Sequence, residues 1–456
     1  MFLKLYRILV FLLCLNVVYS DICTNTTSIR CDCKEYTNIQ THLPTFFADC
    51  SSRFLTELPE NINDGLNVID FSINAIETLD ANKRPLNSED LEELIFGYNN
   101  ISHVDVNFFQ NLPNLKKLDL SNNFISNLEN SEIFEKLPHL ARLDLSFNSF
   151  KTLPDFIFNP LVKLTHLDIS YNYMGAYLTQ SKTVLEKMLC LTPNLTHLHM
   201  DGLGIKELPA GYFDGFDNLK DLSLADNEFT LIPTVPYSVE QLDLSGNKLS
   251  FVSANYLNYH SLKVLKLNRM VTLTVIPHYA FYNLFALEKL FITDCPNLKE
   301  FSELAFDVLS KDIDHHIKVL SLARNGLNSL NESYKYLFRK MEHVDLTLNP
   351  WVCDCNILWL QNFALEFFRS HEIRCHYPSE LRLKKILELQ PSDVKDCYPA
   401  IYGKKSHRVL IVVLSMTVVV LCGLIFYLLR YPIKGLSSKH RISPNSPYGL
   451  TSTEEQ

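Results

Sequence analysis

One pattern recurs along most of this chain, and it decides what the chain can fold into. Leu115-Lys-Lys-Leu118-Asp-Leu120-Ser-Asn-Asn123-Phe-Ile125 returns as Leu140-Ala-Arg-Leu143-Asp-Leu145-Ser-Phe-Asn148-Ser-Phe150, and again from Leu164 to Asn172. Units in this register begin at Leu66, Leu91, Leu115, Leu140, Leu164, Leu195, Leu219, Val239, Leu262, Leu287, Ile317 and Met341. A unit this short cannot bury an apolar face alone, so the units must stack into one elongated core. In each, two leucines one residue apart make a short strand with both side chains inward, and Asp119 and its equivalents point out onto a concave sheet. The asparagine at the ninth place serves the backbone of the turn leaving the strand, where unpaired buried amides are costly. Cys295 takes that place in its unit, whereas Leu203 and Met270 depart from the pattern and predict local irregularity there. Return segments carry an aromatic three residues before an apolar partner: Phe109/Leu112, Phe134/Leu137, Phe158/Leu161, Phe213/Phe216, Phe281/Leu284 and Phe306/Leu309. Two units are longer, and Val184, Leu185, Met188 and Leu189 suit a helical turn packed inward in the first of them.

An open stack ends in water unless its terminal units differ. Cys23, Cys31, Cys33 and Cys50 precede the first unit, and Cys353, Cys355, Cys375 and Cys397 follow the last. The pattern L-x-x-L-x-L-x-x-N is that of leucine-rich repeats. The stretch Asn349-Pro-Trp351-Val-Cys353-Asp-Cys355-Asn-Ile-Leu-Trp359-Leu360 resembles the C-terminal cap of extracellular leucine-rich-repeat proteins, the superfamily of Toll-type ectodomains, Slit-type ligands and neuronal adhesion receptors. The resemblance covers about residues 21 to 400. It implies an α/β solenoid: a horseshoe with a parallel concave sheet and disulfide caps, here followed by one transmembrane helix. It also implies bridges Cys353 to Cys375 and Cys355 to Cys397 and, by looser analogy, Cys23 to Cys33 and Cys31 to Cys50. Cys190 and Cys295 lie about four repeats apart, roughly 19 Å at strand spacing and too far to bridge, so both are expected as buried thiols.

The two ends set the expected topology. Residues 1–20 read as a cleaved secretory signal, with Lys4 and Arg7 before an apolar run and Val18-Tyr19-Ser20 at its close. Val409 to Leu429 holds 21 uncharged residues, about 31 Å as a helix and enough to span a bilayer. The expected order is therefore signal (1–20), N-terminal cysteine cap (21–65), repeats (66–348), C-terminal cap (349–398), juxtamembrane stalk (399–408), membrane helix (409–429) and cytoplasmic tail (430–456). Sequons at Asn25, Asn100, Asn194 and Asn331 all fall in the expected ectodomain, which agrees with a type I plasma-membrane glycoprotein. The formal net charge is −9, and both ends are basic, so the ectodomain is more acidic still. That disfavours nucleic acid as a partner.

No catalytic constellation, cofactor motif or metal site emerges. Gly403-Lys-Lys-Ser406 lacks the leading glycine of a phosphate loop, and the tail is too short for a signalling domain. The function to expect is recognition of an extracellular or cell-surface protein, itself included, in adhesion or cell recognition. Two other readings stand beside it: a Toll-like immune co-receptor that borrows a signalling domain, and a structural matrix protein released near the stalk. A ligand surface is placed on the second to sixth repeats. Tyr98, Phe147 and Tyr171 stand in one outward column before the ladder asparagine, joined by Ile95, Arg142, His166, His197 and His199. Aromatic and arginine side chains anchor interfaces because they bury much area at low entropic cost.

Overall fold

The computed structural model describes residues 21–23, 31–37, 44–60, 62, 65–128, 130–189, 194–306, 316–339, 341–361, 373–390, 392–394, 414–423, 425 and 430. The chain divides into two compact units, Met1–Asp393 and Val394–Gln456. The first is built on a 14-stranded sheet. Twelve of its strands are the repeat strands, three residues each, from Val68–Asp70 to His343–Asp345, and neighbours pair in parallel without a slip in register. Leu118 and Leu120 are fully buried, as are Leu94, Leu198, Leu222 and their counterparts, so the alternation read from sequence places the core on one face.

The asparagines form a hydrogen-bonded ladder through the core. Asn123 donates from Nδ2 to the carbonyls of Phe96, Leu120 and Ser121, and its Oδ1 accepts the Ile101 N–H. Asn99, Asn148, Asn172, Asn227, Asn247, Asn325 and Asn349 repeat the arrangement. The asparagine ladder is interrupted at Leu203 and Met270, as expected, while the strand pairing runs past both without a slip in register. At these two repeats other side chains bond forward to the next repeat. Asp201 Oδ1 accepts the Ala225 N–H and the Ser223 hydroxyl, and Asn268 Oδ1 accepts the Thr293 N–H. Cys295 is a free, buried thiol whose sulfur accepts the Met270 N–H at 3.4 Å, and burial pushes its pKa up to about 11. Cys190 lies outside the described residues.

The return side holds less helix than an α/β solenoid implies. Within the repeats the described residues hold only short α-helices, Gly175–Leu178, Thr183–Leu189 and Tyr334–Phe338, with residues 358–361 helical in the C-terminal cap, and most units return through turns or two-residue strands such as Thr78–Leu79 with His103–Val104. The fold is a β-rich solenoid. The physical reason is length: some ten return residues leave too few to nucleate a helix, whereas the long unit from Leu164 has room for two. Leu185, Met188 and Leu189 pack inward as expected. Phe109, Phe134 and Phe158 are fully buried and stack at 6.3 Å from one repeat to the next. Leu309 lies outside the described residues.

At the N-terminal end, strands Asp32–Thr37 and Pro44–Asp49 form an antiparallel hairpin whose second strand pairs in parallel with Val68–Asp70, so the cap extends the repeat sheet itself. Bridges join Cys23 to Cys33 and Cys31 to Cys50. At the other end Cys353 is bridged to Cys375, strand Trp351–Val352 pairs with Cys375–Tyr377, and buried Trp351 donates from its indole to the Leu346 carbonyl. Cys355 is disulfide-bonded, and Cys397 lies outside the described residues. In the second unit, residues 414–423 are helical, and the remainder of the 409–429 run is described only at Ile425. No helix among the described residues is long and apolar enough to cross a membrane.

Candidate ligand-binding surface

The residue before the ladder position adopts a left-handed backbone in all twelve repeats. Ile73, Tyr98, Asn122, Phe147, Tyr171, Gly202, Asp226, Gly246, Arg269, Asp294, Arg324 and Leu348 have φ between +52° and +72°. The turn closed by the asparagine demands this conformation, which L-residues adopt only at a cost. It carries the eighth side chain of each unit out along the edge of the sheet. Asn122, Gly202 and Gly246 were the sequence signals that could have revealed it.

Within this edge column the expected aromatic trio divides. The Phe147 and Tyr171 rings stack with centroids 4.2 Å apart and planes 13° apart, whereas Tyr98 is separated from them by the Asn122 repeat. Tyr171 lies across Gly202, where a Cβ would collide with its ring, and donates its hydroxyl to Asp226 Oδ2 at 2.6 Å. Arg269 grips both Asp226 oxygens at 2.9 and 2.8 Å. Tyr171 is thus half-buried in a strut that spans the repeat lacking its asparagine, while Phe147 is 47% exposed.

The remaining expected residues stand on the sheet itself, in two columns fixed by strand register. Arg142, His166 and His197 are aligned with one another, and Lys117 extends the same row. Ile95, Asp119, Asp144, Asp168 and His199 are aligned in the next. A row of nitrogen bases therefore runs beside a row of carboxylates, and the two line a shallow cavity of about 180 Å³. The His166 and His197 rings stack at 3.9 Å and 10°, each with Nδ1 hydrogen-bonded at 2.8 Å to the preceding threonine hydroxyl, Thr165 or Thr196. His199 sits with Nδ1 3.4 Å from Asp168 and Nε2 3.9 Å from Asp221. Among the described residues no group of three His, Cys, Asp or Glu is placed to hold a metal ion.

These environments separate the three imidazoles. Burial, and then the neighbouring His197 and Arg142, lower the pKa of His166 to about 4. His197 is lowered too, by burial first. His199 is raised by its hydrogen bond to Asp168. Among the carboxylates, burial raises Asp144 to about 6, with Asp168 and Asp119 beside it, and raises Asp201 to about 6 against the hydrogen bonds from Ser223 and Ala225. At neutral pH the surface therefore presents a neutral stacked pair, a cationic Arg142 and a His199 biased toward the imidazolium. Lys117, Asp201 and the Asp226–Arg269 strut were not singled out from sequence, and Asp144 was placed there only as one of the outward aspartates; writing the third residue of each unit as a column would have shown Lys117.

Asp201 gives a test of this electrostatic account. Its folded pKa lies above the ordinary carboxylate value of 3.8, so ionisation opposes folding: the cost is absent below about pH 4 and complete above about pH 6. Asp201→Asn retains an oxygen for Ser223 and Ala225 and removes the charge. It should be more stable than the parent by about 1 kcal/mol at pH 7.5, with the advantage shrinking toward pH 5. Thermal melts across that range check it, and an advantage that grows as pH falls would contradict it.

Comparison with known proteins bears on the same residues. The family model for leucine-rich repeats matches residues 89–134 and 130–174, and that for BspA-type leucine-rich repeat regions matches 182–312. The repeats within residues 89–174 and 182–312 are of the leucine-rich type. Similar proteins include osteomodulin of Bos taurus, 27% identical over 298 residues that make up 63% of this chain and 65% of that protein. Trophoblast glycoprotein of Macaca fascicularis is 25% identical over 396 residues, 84% of this chain and 71% of that one. Amphoterin-induced protein 2 of Rattus norvegicus is 36% identical over 77 residues, 17% of this chain and 15% of the relative. The chain thus spans about two thirds of osteomodulin's length.

Proposed function

We propose that this chain is a secreted-pathway, cell-surface leucine-rich-repeat glycoprotein that binds a protein ligand on the outer face of its sheet, in adhesion or recognition. One observation carries the reading. The paired rows of Lys117, Arg142, His166 and His197 and of Asp119, Asp144 and Asp168 face solvent beside the exposed Phe147 ring, while the core lies on the other face. A surface that sets Lys117, Arg142 and a neutral imidazole pair beside a row of carboxylates suits a protein segment that offers both charge and an apolar or aromatic side chain. The bridged caps and the likeness to trophoblast glycoprotein support an extracellular setting. The uncharged run 409–429 supports a single-pass anchor with the N-terminus outside.

The test uses full-length chain displayed on cells and probed with a panel of cell-surface ectodomains, its own included. For any partner found, Arg142→Ala, His166→Ala and Phe147→Ala should each weaken binding at least about fivefold, or 1 kcal/mol. Undiminished binding by all three at normal surface level would move the site to another face. A tag after Gln456 should resist external protease on the same cells; its digestion would overturn the anchor.

A further inference from the structure

The edge column leaves Tyr98 outside the proposed ligand patch, and its surroundings suggest a different occupant. Tyr98 is 62% exposed and stands two residues before Asn100, the acceptor of the sequon Asn100-Ile-Ser102. The Asn100 N–H bonds the Ile76 carbonyl of the previous repeat, and one repeat on the Phe124 N–H makes the equivalent bond to Ile101. Phe124 is therefore the registered neighbour of Asn100, about 5 Å away at strand spacing, and its ring is 60% exposed. Asn100 is exposed, and its side-chain amide makes no hydrogen bond among the described residues. By contrast, Asn194 donates to the Val162 carbonyl and Asn331 to Glu303. Asn25 lies outside the described residues. Of the four sequons, Asn100 alone has an aromatic residue two places before it.

We infer that Asn100 carries an N-linked glycan whose first sugar packs between the rings of Tyr98 and Phe124. The inference rests on the secretory reading above, because the donor is a lipid-diphosphate-linked oligosaccharide of the secretory pathway. The Asn100 amide nitrogen bonds to C1 of the sugar, the C1–O bond to phosphate breaks, the amide gives up one proton and the lipid diphosphate leaves. The N-acetylglucosamine ring presents an apolar C–H face, and covering two otherwise wet aromatic rings with it removes apolar surface from water. The glycan then bounds the protein-binding patch on its N-terminal side and leaves Phe147 and the histidines clear.

The experiment expresses the full chain in secretory cells, maps site occupancy by glycopeptide mass spectrometry and measures melting of the purified glycoprotein. Asn100 should be occupied. Ser102→Ala, which abolishes the sequon but keeps Asn100, should lower the melting midpoint by about 2 to 4 °C. In a Tyr98→Ala, Phe124→Ala background the same change should shift it by less than half as much, which separates sugar packing from a merely structural effect of Ser102. Asn100 unmodified while Asn194 or Asn331 is modified overturns the inference and leaves the secretory reading standing. Equal shifts in both backgrounds overturn the packing. No modification at any sequon overturns both.

Discussion

Asn123→Leu should destabilise the solenoid by about 3 kcal/mol, far more than an ordinary surface change. Asn123 is 5% exposed and makes four hydrogen bonds to the backbone of two repeats. Its three carbonyl partners each keep a second donor: Asn99 for Phe96, Asn148 for Leu120, and the Tyr98 N–H for Ser121. The Ile101 N–H has no such substitute and would be left unpaired in the core. An orphaned buried donor costs about 1 to 3 kcal/mol, and the lost bonds add to it. Cys295→Ala at the same place in another repeat should cost only about 1 kcal/mol, because a thiol 3.4 Å from the Met270 N–H and the Leu267 carbonyl makes weak bonds. Thermal and urea unfolding of both variants checks the contrast. Equal losses would mean that the ladder is maintained by packing alone. Because each repeat contacts only its neighbours, local hydrogen exchange should show the damage centred on the second and third units.

The second large effect is expected at the C-terminal end. The Cys353–Cys375 bridge closes 22 residues and ties strand Trp351–Val352 to Cys375–Tyr377 over the last repeat, where Trp351 is fully buried. Cys353→Ser should cost about 3 kcal/mol of stability and strand a reactive thiol on Cys375. Secretion from cultured cells should fall severalfold, with the retained chain recoverable as mixed disulfides. Cys353→Ser, Cys375→Ser, which leaves no stranded thiol, should recover part of the secretion but little of the melting temperature. Normal secretion and melting of the single variant would show that the buried tryptophan seals the end without help.

The division between what sequence determined and what tertiary structure decided follows from distance along the chain. The period of Leu115, Leu118, Leu120 and Asn123 fixed the strands, the inward leucines and the asparagine ladder, because a three-residue strand and its turn are specified within about ten residues. Short return segments favoured turns over helix for an equally local reason, although the superfamily resemblance pointed to more helix than the described residues contain. The surface answers to another rule. Whether the His166 ring stacks on His197, 31 residues later, depends on how two strands separated by inserted helices are brought into register. The stacking of Phe147 on Tyr171 depends on the left-handed turn that carries both rings along the sheet edge, which Phe147 and Tyr171 in that place do not advertise. The reach of Tyr171 over Gly202 to Asp226 crosses 55 residues, and no local preference encodes it. Burial then set the charge states, raising Asp144 and lowering His166 on the same face. Desolvation is a property of what surrounds a side chain in space, and that exists only once the repeats have stacked.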